Sequence, residues 1–599
     1  MRKLNLAFAT LIGAAVLSGC TLSKMIKLAS EQDLKVDPNP LEVHGGTVSY
    51  NMSAVLPPKM LPSGKVYTIK NFYQYGDQEM EVGEIEFQAD DFPNSSSSTS
   101  RKAADFEFEY SSDLNPGKIM IQGIAEDPRN GKTAETPKME VAVGIITTSM
   151  MVKDVYASDA GSYADHGYND QEELIPTNVN FYFEQGRSVL RPGLEVEGGT
   201  NRSKQQDLSA FIAEKNVTKT VTITGTHSPE GPERINSNLS QERAERIEDY
   251  YRRQMNRYDY KGMADSIKFI LKPVVEDWTA FKAALREYDG ISADSKRKMT
   301  QIVDGNGTFE DKEKELRTVE GYDDVFEDIY PGLRSAKTEI LTVKEKKSNA
   351  EISVLAKGIA DGSVSADTLS NEELLFAATL TPSLDEKEAI FMAATKKSGS
   401  WVAHNNLAAV YLEKAKADAD NRDQLVQDAI TQLEIASNKE SNKPEIMINM
   451  ASAYMMQGEY DKCYDALTSA ESNATNAQKS DINAMKGAIE IRRGEYEDAR
   501  ASLASARSGE TIAFNRGLVN LLLDDYDNAQ SSLDDATEEE MISAEAYYLK
   551  AVTAARQKSV DGVINNLKEA IELDSDLKDK ALNDLEFVNF ADAVAQAVR

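Results

Sequence analysis

The sequence predicts a multidomain protein: an N-terminal β-sandwich, a central α+β domain with a helical insertion, and a C-terminal all-α solenoid. Three observations predict it. Apolar residues alternate with period two between residues 37 and 150. From Ile175 the pattern becomes strand, helix, strand, helix, strand. From residue 346 the chain turns helical and repeats itself. The chain has 599 residues, and a prior of about 150 residues per domain gives about four units. A hydrophobic content of 41% suffices for packed cores.

The N-terminus reads as an address. Met1-Arg2-Lys3 is a basic head, and Leu4 to Val16 is an apolar run too short to span a bilayer. It ends in Leu17-Ser18-Gly19-Cys20, which resembles the bacterial lipoprotein cleavage box. The resemblance implies a signal peptide over 1–19 and a diacylglycerol on the thiol of Cys20. Several acyl chains, palmitate among them, would make a stable anchor where one would not. Lys24 and Lys27 follow the cysteine. Surface-exported lipoproteins of Bacteroidota carry acidic residues there, so the lysines point to the periplasmic face of the outer membrane. Residues 20–36 are expected to be a tether.

The sandwich is expected over 37–150. Its strands are marked by Val48-Tyr50-Met52, Phe106-Phe108-Tyr110, Ile119-Ile121 and Met139-Val141-Val143. Turn signals such as Pro57-Pro58, Asn115-Pro116-Gly117 and Asn130-Gly131 separate them. Residues 151–174 are polar, lack periodicity and read as a linker.

In the α+β domain, expected over 175–345, Val179-Phe181-Phe183 opens a strand and Val221-Ile223 a second one that runs into Gly225. Gly225, Gly231, Asn236, Leu239, Ser240, Arg243 and Ala244 then follow at fixed spacing. This resembles the OmpA-like peptidoglycan-binding domain, whose motif is G-x-x-D-x-x-G-x-x-x-x-N-x-x-L-S-x-x-R-A. Ser228 stands where that family has Asp. Glu276-Asp277-Trp278 and Tyr330-Pro331-Gly332-Leu333-Arg334 resemble a Bacteroidota branch with a helical insertion, here about 276–335, before a last strand at Glu339–Val343. The resemblance implies a site for the diaminopimelate of the stem peptide, at Ser228, Glu230, Asn236 and Arg243. The Arg243 guanidinium suits a carboxylate through two parallel hydrogen bonds. Helix N–H groups after the loop would help hold the anion. Ser228 offers the ammonium only an uncharged acceptor, which Glu230 or Glu233 would supplement. The other reading makes Arg243 a structural group within the domain.

Asp304, Asn306, Thr308 and Glu315 mimic part of a calcium loop. Phe309 stands where its sharp turn needs Gly, so the segment reads as a polar loop before a helix.

Over 346–599 the repeat is marked by Ala436, Ala470, Ala506, Ala536 and Ala570, at intervals of 34, 36, 30 and 34 residues. Helix pairs with this period resemble tetratricopeptide (TPR) repeats. Five or six units are expected between 370 and 580, with "LNDLEFVNFADAVAQAVR" as a cap. Stacked units leave a concave groove for peptide segments or partner helices. Cys463, where the repeat wants Ala, reads as a core filler.

A net charge of −32 excludes nucleic acid as a partner. The chain has no P-loop, G-x-S-x-G or H-E-x-x-H motif, and His44, His166, His227 and His404 lack metal spacing. No enzyme activity and no cofactor are therefore expected. The leading expectation is an outer-membrane lipoprotein that binds peptidoglycan and scaffolds partners in its TPR groove. The alternatives are an accessory subunit of a secretion or outer-membrane biogenesis complex that does not bind the wall, and a surface-exposed lipoprotein.

Overall fold

The computed structural model describes residues 20–196, 199–258, 267–274, 278–538 and 543–599. The expected signal peptide over 1–19 lies outside them, as do Glu276 and Asp277 at the head of the expected insertion. The chain divides into two compact units. One joins the residues up to Gly167 with Asn349–Arg599, and the other is Tyr168–Ser348. No helix among the described residues is long and apolar enough to cross a membrane.

The first unit begins with a helix, Cys20–Leu28, followed by ten strands: β1 (Asp33–Asp37), β2 (Leu41–His44), β3 (Thr47–Leu56), β4 (Val66–Tyr75), β5 (Gln78–Gln88), β6 (Ser100–Glu109), β7 (Gly117–Asp127), β8 (Lys132–Glu135), β9 (Met139–Val143) and β10 (Ile145–Ile146). In one sheet, β3 pairs with β6 on one edge and with β1 and β2 on the other, and β10 runs parallel to β2. In the second, β4 lies between β5 and β7, and β7 also pairs with β8 and β9. Alternate residues of β3, β4 and β7 are buried, as a sheet covered on one face requires. Tyr50, Met52, Tyr67, Ile69, Phe87 and Ile119 meet in one core between the sheets.

The tether expected over 20–36 is corrected. Leu22, Met25 and Ala29 of the first helical segment are buried in the sandwich core, and β1 starts at Asp33. Their spacing of three and four residues places them on one helical face, which pays for order that a polar tether could not.

The second part of this unit is an all-helical repeat region with the geometry of a TPR-like solenoid. Five antiparallel pairs run from Trp401–Ala417 with Arg422–Lys439 to Ala544–Arg556 with Val560–Leu573. A small residue and a leucine sixteen positions later recur at Ala451 and Leu467, Gly487 and Leu503, Gly517 and Leu533, and Ala551 and Leu567. All six of these alanines and leucines are buried. A Cβ on Gly487 would stand 2.5 Å from Leu503 Cγ, and one on Gly517 2.5 Å from Leu533 Cγ. The small residue thus exists to let the two helices of a pair touch. Cys463 is fully buried, and burial pushes its thiol up to about 12.

The second unit holds a four-stranded sheet of order β11-β16-β14-β15, from β11 (Leu174–Tyr182), β14 (Thr218–Gly225), β15 (Lys268–Pro273) and β16 (Ser335–Val343). A short hairpin, β12 (Glu195–Val196) and β13 (Gly199–Thr200), precedes the helix Asn201–Ala213. β14 and β15 are parallel, joined through the helix Glu233–Arg257, and β16 is antiparallel to both of its neighbours. Phe181, Val221, Ile223, Ala244, Ile247 and Ile340 form the core under that helix. The last strand begins at Ser335, four residues before the expected start. Between β15 and β16, five helices from Thr279 to Leu333 build a second core around Trp278, Phe281, Phe309 and Tyr330. Buried Glu313 accepts hydrogen bonds from Tyr322 and Tyr330, and burial raises its carboxyl. Thr308 caps the helix Phe309–Leu316 in a capping box with Asp311, so the calcium-like spacing there is helix-start chemistry.

Candidate functional site

The loop from Gly225 to Pro232 connects β14 to the helix Glu233–Arg257, and each motif residue has a structural task. A Cβ on Gly225 would lie 1.9 Å from Ser240 O, so only glycine lets strand and helix cross there. Gly231 turns the loop at φ +94°. The Asn236 amide donates to the carbonyls of Glu230 (3.1 Å) and Gly231 (3.4 Å), closing the loop onto its own helix. Ser240 Oγ donates to Asn236 O, and Leu239 and Ala244 are buried.

Arg243 is 1% exposed. Its three guanidinium nitrogens donate to Arg187 O (3.1 Å), Thr226 O (2.7 Å) and Glu184 O (3.3 Å). Phe183 lies 5.4 Å beneath it. Burial first, then the charge of Arg334, pulls its pKa down to about 10, so it remains a cation at neutral pH. The fork that the sequence offers to a carboxylate is directed at the carbonyls of the protein itself.

Arg334 is the residue that the sequence reading did not assign to the site. Ala336 sits opposite Gly225 in the β14–β16 ladder, so Arg334 arrives beside the motif loop. Its Nε donates to Ser228 Oγ (3.0 Å) and Glu230 Oε1 (2.9 Å), and the Arg334–Glu230 ion pair closes at 2.9 Å. Ser228, Glu230 and Arg334 are all buried. Among the described residues Glu230 Oε2 has no hydrogen-bond partner. Glu233 is the first residue of the helix. The signal for Arg334 was the "YPGLRS" stretch, which places an arginine just before the last strand.

The second site is the groove of the repeat region, and it is filled. The stretch read as a linker over 151–174 is, from Val152 to Ala164, a strap laid along the repeat helices. Asn515 holds both main-chain groups of Lys153, at 3.0 Å to its N–H and 2.8 Å to its C=O. Asn406 holds those of Ala164, at 2.8 and 3.0 Å. Asn405 and Asn449 both donate to Ser162 O. Arg492 reaches Val152 O and Asp154, and Arg507 reaches Tyr156 O. Asp481 accepts from Ser158 Oγ and Arg507 Nε. Val152, Val155 and Ala157 join the array's own core. The strap runs against the order of the repeats, from Asn515 back to Asn406. A side-chain amide has one donor edge and one acceptor edge, so the bidentate pairs of Asn515 and Asn406 recognise main chain whatever residue it carries, while the strap's helical turn Asp159–Ser162 is held by single bonds to Ser162 O.

No protein-family model matches the chain, and no curated protein matches it. Solved structures similar to it include these two. PilF of Pseudomonas aeruginosa aligns with a TM-score of 0.30 and 15% identity, over 37% of this chain and 94% of the other. A chain of the APC/C hetero-tetramer Cut9–Hcn1 aligns with a TM-score of 0.31 and 10% identity, over 62% of this chain and 78% of the other. The helix pairing described above carries the fold without them.

Proposed function

We propose that this chain is a protein scaffold of the bacterial outer membrane, anchored by acylated Cys20, facing the periplasm and gripping the cell wall through residues 175–345. The observation that carries the scaffold role is the occupied groove: four asparagines hold the main chain of the strap, including its helical turn Asp159–Ser162, along the repeats. Partners engage the repeat region by the same backbone chemistry.

The wall-binding part rests on the motif resemblance and on Glu230. Glu230 would supply the carboxylate that the OmpA-like family draws from its Asp, its Oε2, buried and without a hydrogen-bond partner, accepting from a diaminopimelate ammonium once the loop opens. Arg334 neutralises the loop, and Arg243 braces it. The test is sedimentation of the full chain with purified peptidoglycan, comparing it with Glu230→Gln. A charge-assisted hydrogen bond contributes about 1.5–3 kcal/mol, so retention should fall about tenfold or more. Equal retention of both chains would remove Glu230 from the site. No retention of either favours the second reading, an accessory subunit of a secretion or outer-membrane biogenesis complex that does not bind the wall. The occupied groove favours that reading equally.

A further inference from the structure

The helix Cys20–Leu28 leaves the proposed anchor no slack. Cys20 is its first residue, and Leu22, two positions on, is already in the sandwich core with Met25. A lipid on Cys20 therefore brings the sandwich itself to the bilayer. What it brings there is a concave surface. A cavity of ≈ 910 Å³ opens beside the helix, between the loop at Lys59–Ser63 and the loop at Ala89–Ser96. The two loops are fixed to one another: Lys59 N donates to Ser95 O at 2.7 Å, and Ser95 Oγ to Leu61 O at 2.7 Å.

We infer that this end of the sandwich lies in the head-group layer of the membrane and that the cavity seats a phospholipid head group carrying both a phosphate and an ammonium. The inference rests on the reading of Cys20 as acylated. Lys24 and Lys59 line the cavity and suit the phosphate, and Asp90 lines it and suits the ammonium. Leu61 and Phe92 provide apolar wall for the root of the acyl chains. A zwitterionic head group also fits a chain of net charge −32, which an anionic surface repels. The anchor sets the position of the contact, and the cavity supplies chemistry that binds a head group on its own.

Position is tested with the acylated full chain in vesicles that contain nitroxide-labelled phospholipid. Fluorophores are placed through Ser63→Cys, Ser96→Cys and Asp77→Cys, one at a time; buried Cys463 stays unlabelled. Asp77 lies in the β4–β5 turn, at the far end of strands ten and eleven residues long, about 30 Å away at about 3.3 Å per residue. Quenching at Ser63 and Ser96 at least threefold above that at Asp77 is expected. Equal quenching, on chain whose N-terminal peptide shows the acyl mass, overturns this inference and leaves the anchor reading intact. An N-terminal peptide without acyl mass overturns both. Chemistry is tested with the full chain carrying Cys20→Ser and vesicles of phosphatidylethanolamine in phosphatidylcholine. Binding should exceed that to phosphatidylglycerol vesicles and fall at least fivefold in Lys24→Glu/Lys59→Glu. Competition by millimolar inorganic phosphate as strong as by phosphoethanolamine would make this a free-phosphate site and overturn the head-group assignment, as would no vesicle binding.

Discussion

The motif loop and the repeat groove are both occupied by the protein itself, but on different scales. In the loop, single side chains do it: Arg334 pairs with Glu230 and Ser228, and Arg243 is spent on three carbonyls. In the groove, thirteen residues of main chain do it. The loop's occupants sit immediately before strand β16 and in the motif helix, so they can leave only if those elements move. The strap is held both by bonds to its backbone and by Val152, Val155 and Ala157 packed into the array's core. The difference separates a site tuned by fixed charge from a surface that holds main chain.

Four substitutions would break or sharpen that contrast. The largest effect is expected from Arg334→Met. It leaves Glu230 buried and unpaired, which costs about 3–5 kcal/mol, and chemical denaturation should show it. A loss under 1 kcal/mol would mean that the loop is not held by this ion pair. Gly225→Ala comes next. Its Cβ meets Ser240 O, and prising strand from helix costs about 3 kcal/mol, read in the same denaturation. Asn515→Ala should cost about 2 kcal/mol by stranding the N–H and C=O of Lys153. Its clearer readout is trypsin, which should cut after Lys153 sooner than in the unsubstituted chain. Unchanged cleavage would show that the amide pair does not hold the strap. The smallest effect is expected from Cys463→Ala, about 1 kcal/mol. In the unsubstituted folded chain, alkylating reagents should leave Cys463 unmodified at neutral pH, because its thiol is pushed up to about 12.

The sequence made the loop legible and the groove nearly opaque, for physical reasons. Gly225, Gly231, Asn236 and Arg243 form a spacing because each serves one tight turn between a strand and a helix. Arg334 is far off in sequence and arrives only through the pairing of β14 with β16. The strap has no periodicity because the groove holds its backbone. The usable signal lay on the other side. Asn405-Asn406, Asn449 and Asn515 stand in otherwise apolar, buried helical stretches, and a buried amide needs partners. The first helix was legible as well, from the spacing of Leu22, Met25 and Ala29, although the expectation over 20–36 is a tether.

The strap also sets a timetable. Ser162 meets Asn405, 243 residues further on, and Lys153 meets Asn515, 362 residues further on. The strap can therefore close only after helices hundreds of residues downstream have formed, and until then Val152, Val155 and Ala157 have no array core to join. A chain cut before residue 400 would lack every asparagine that holds the strap, so the strap ties the N-terminal half of this unit to the completeness of its C-terminal half.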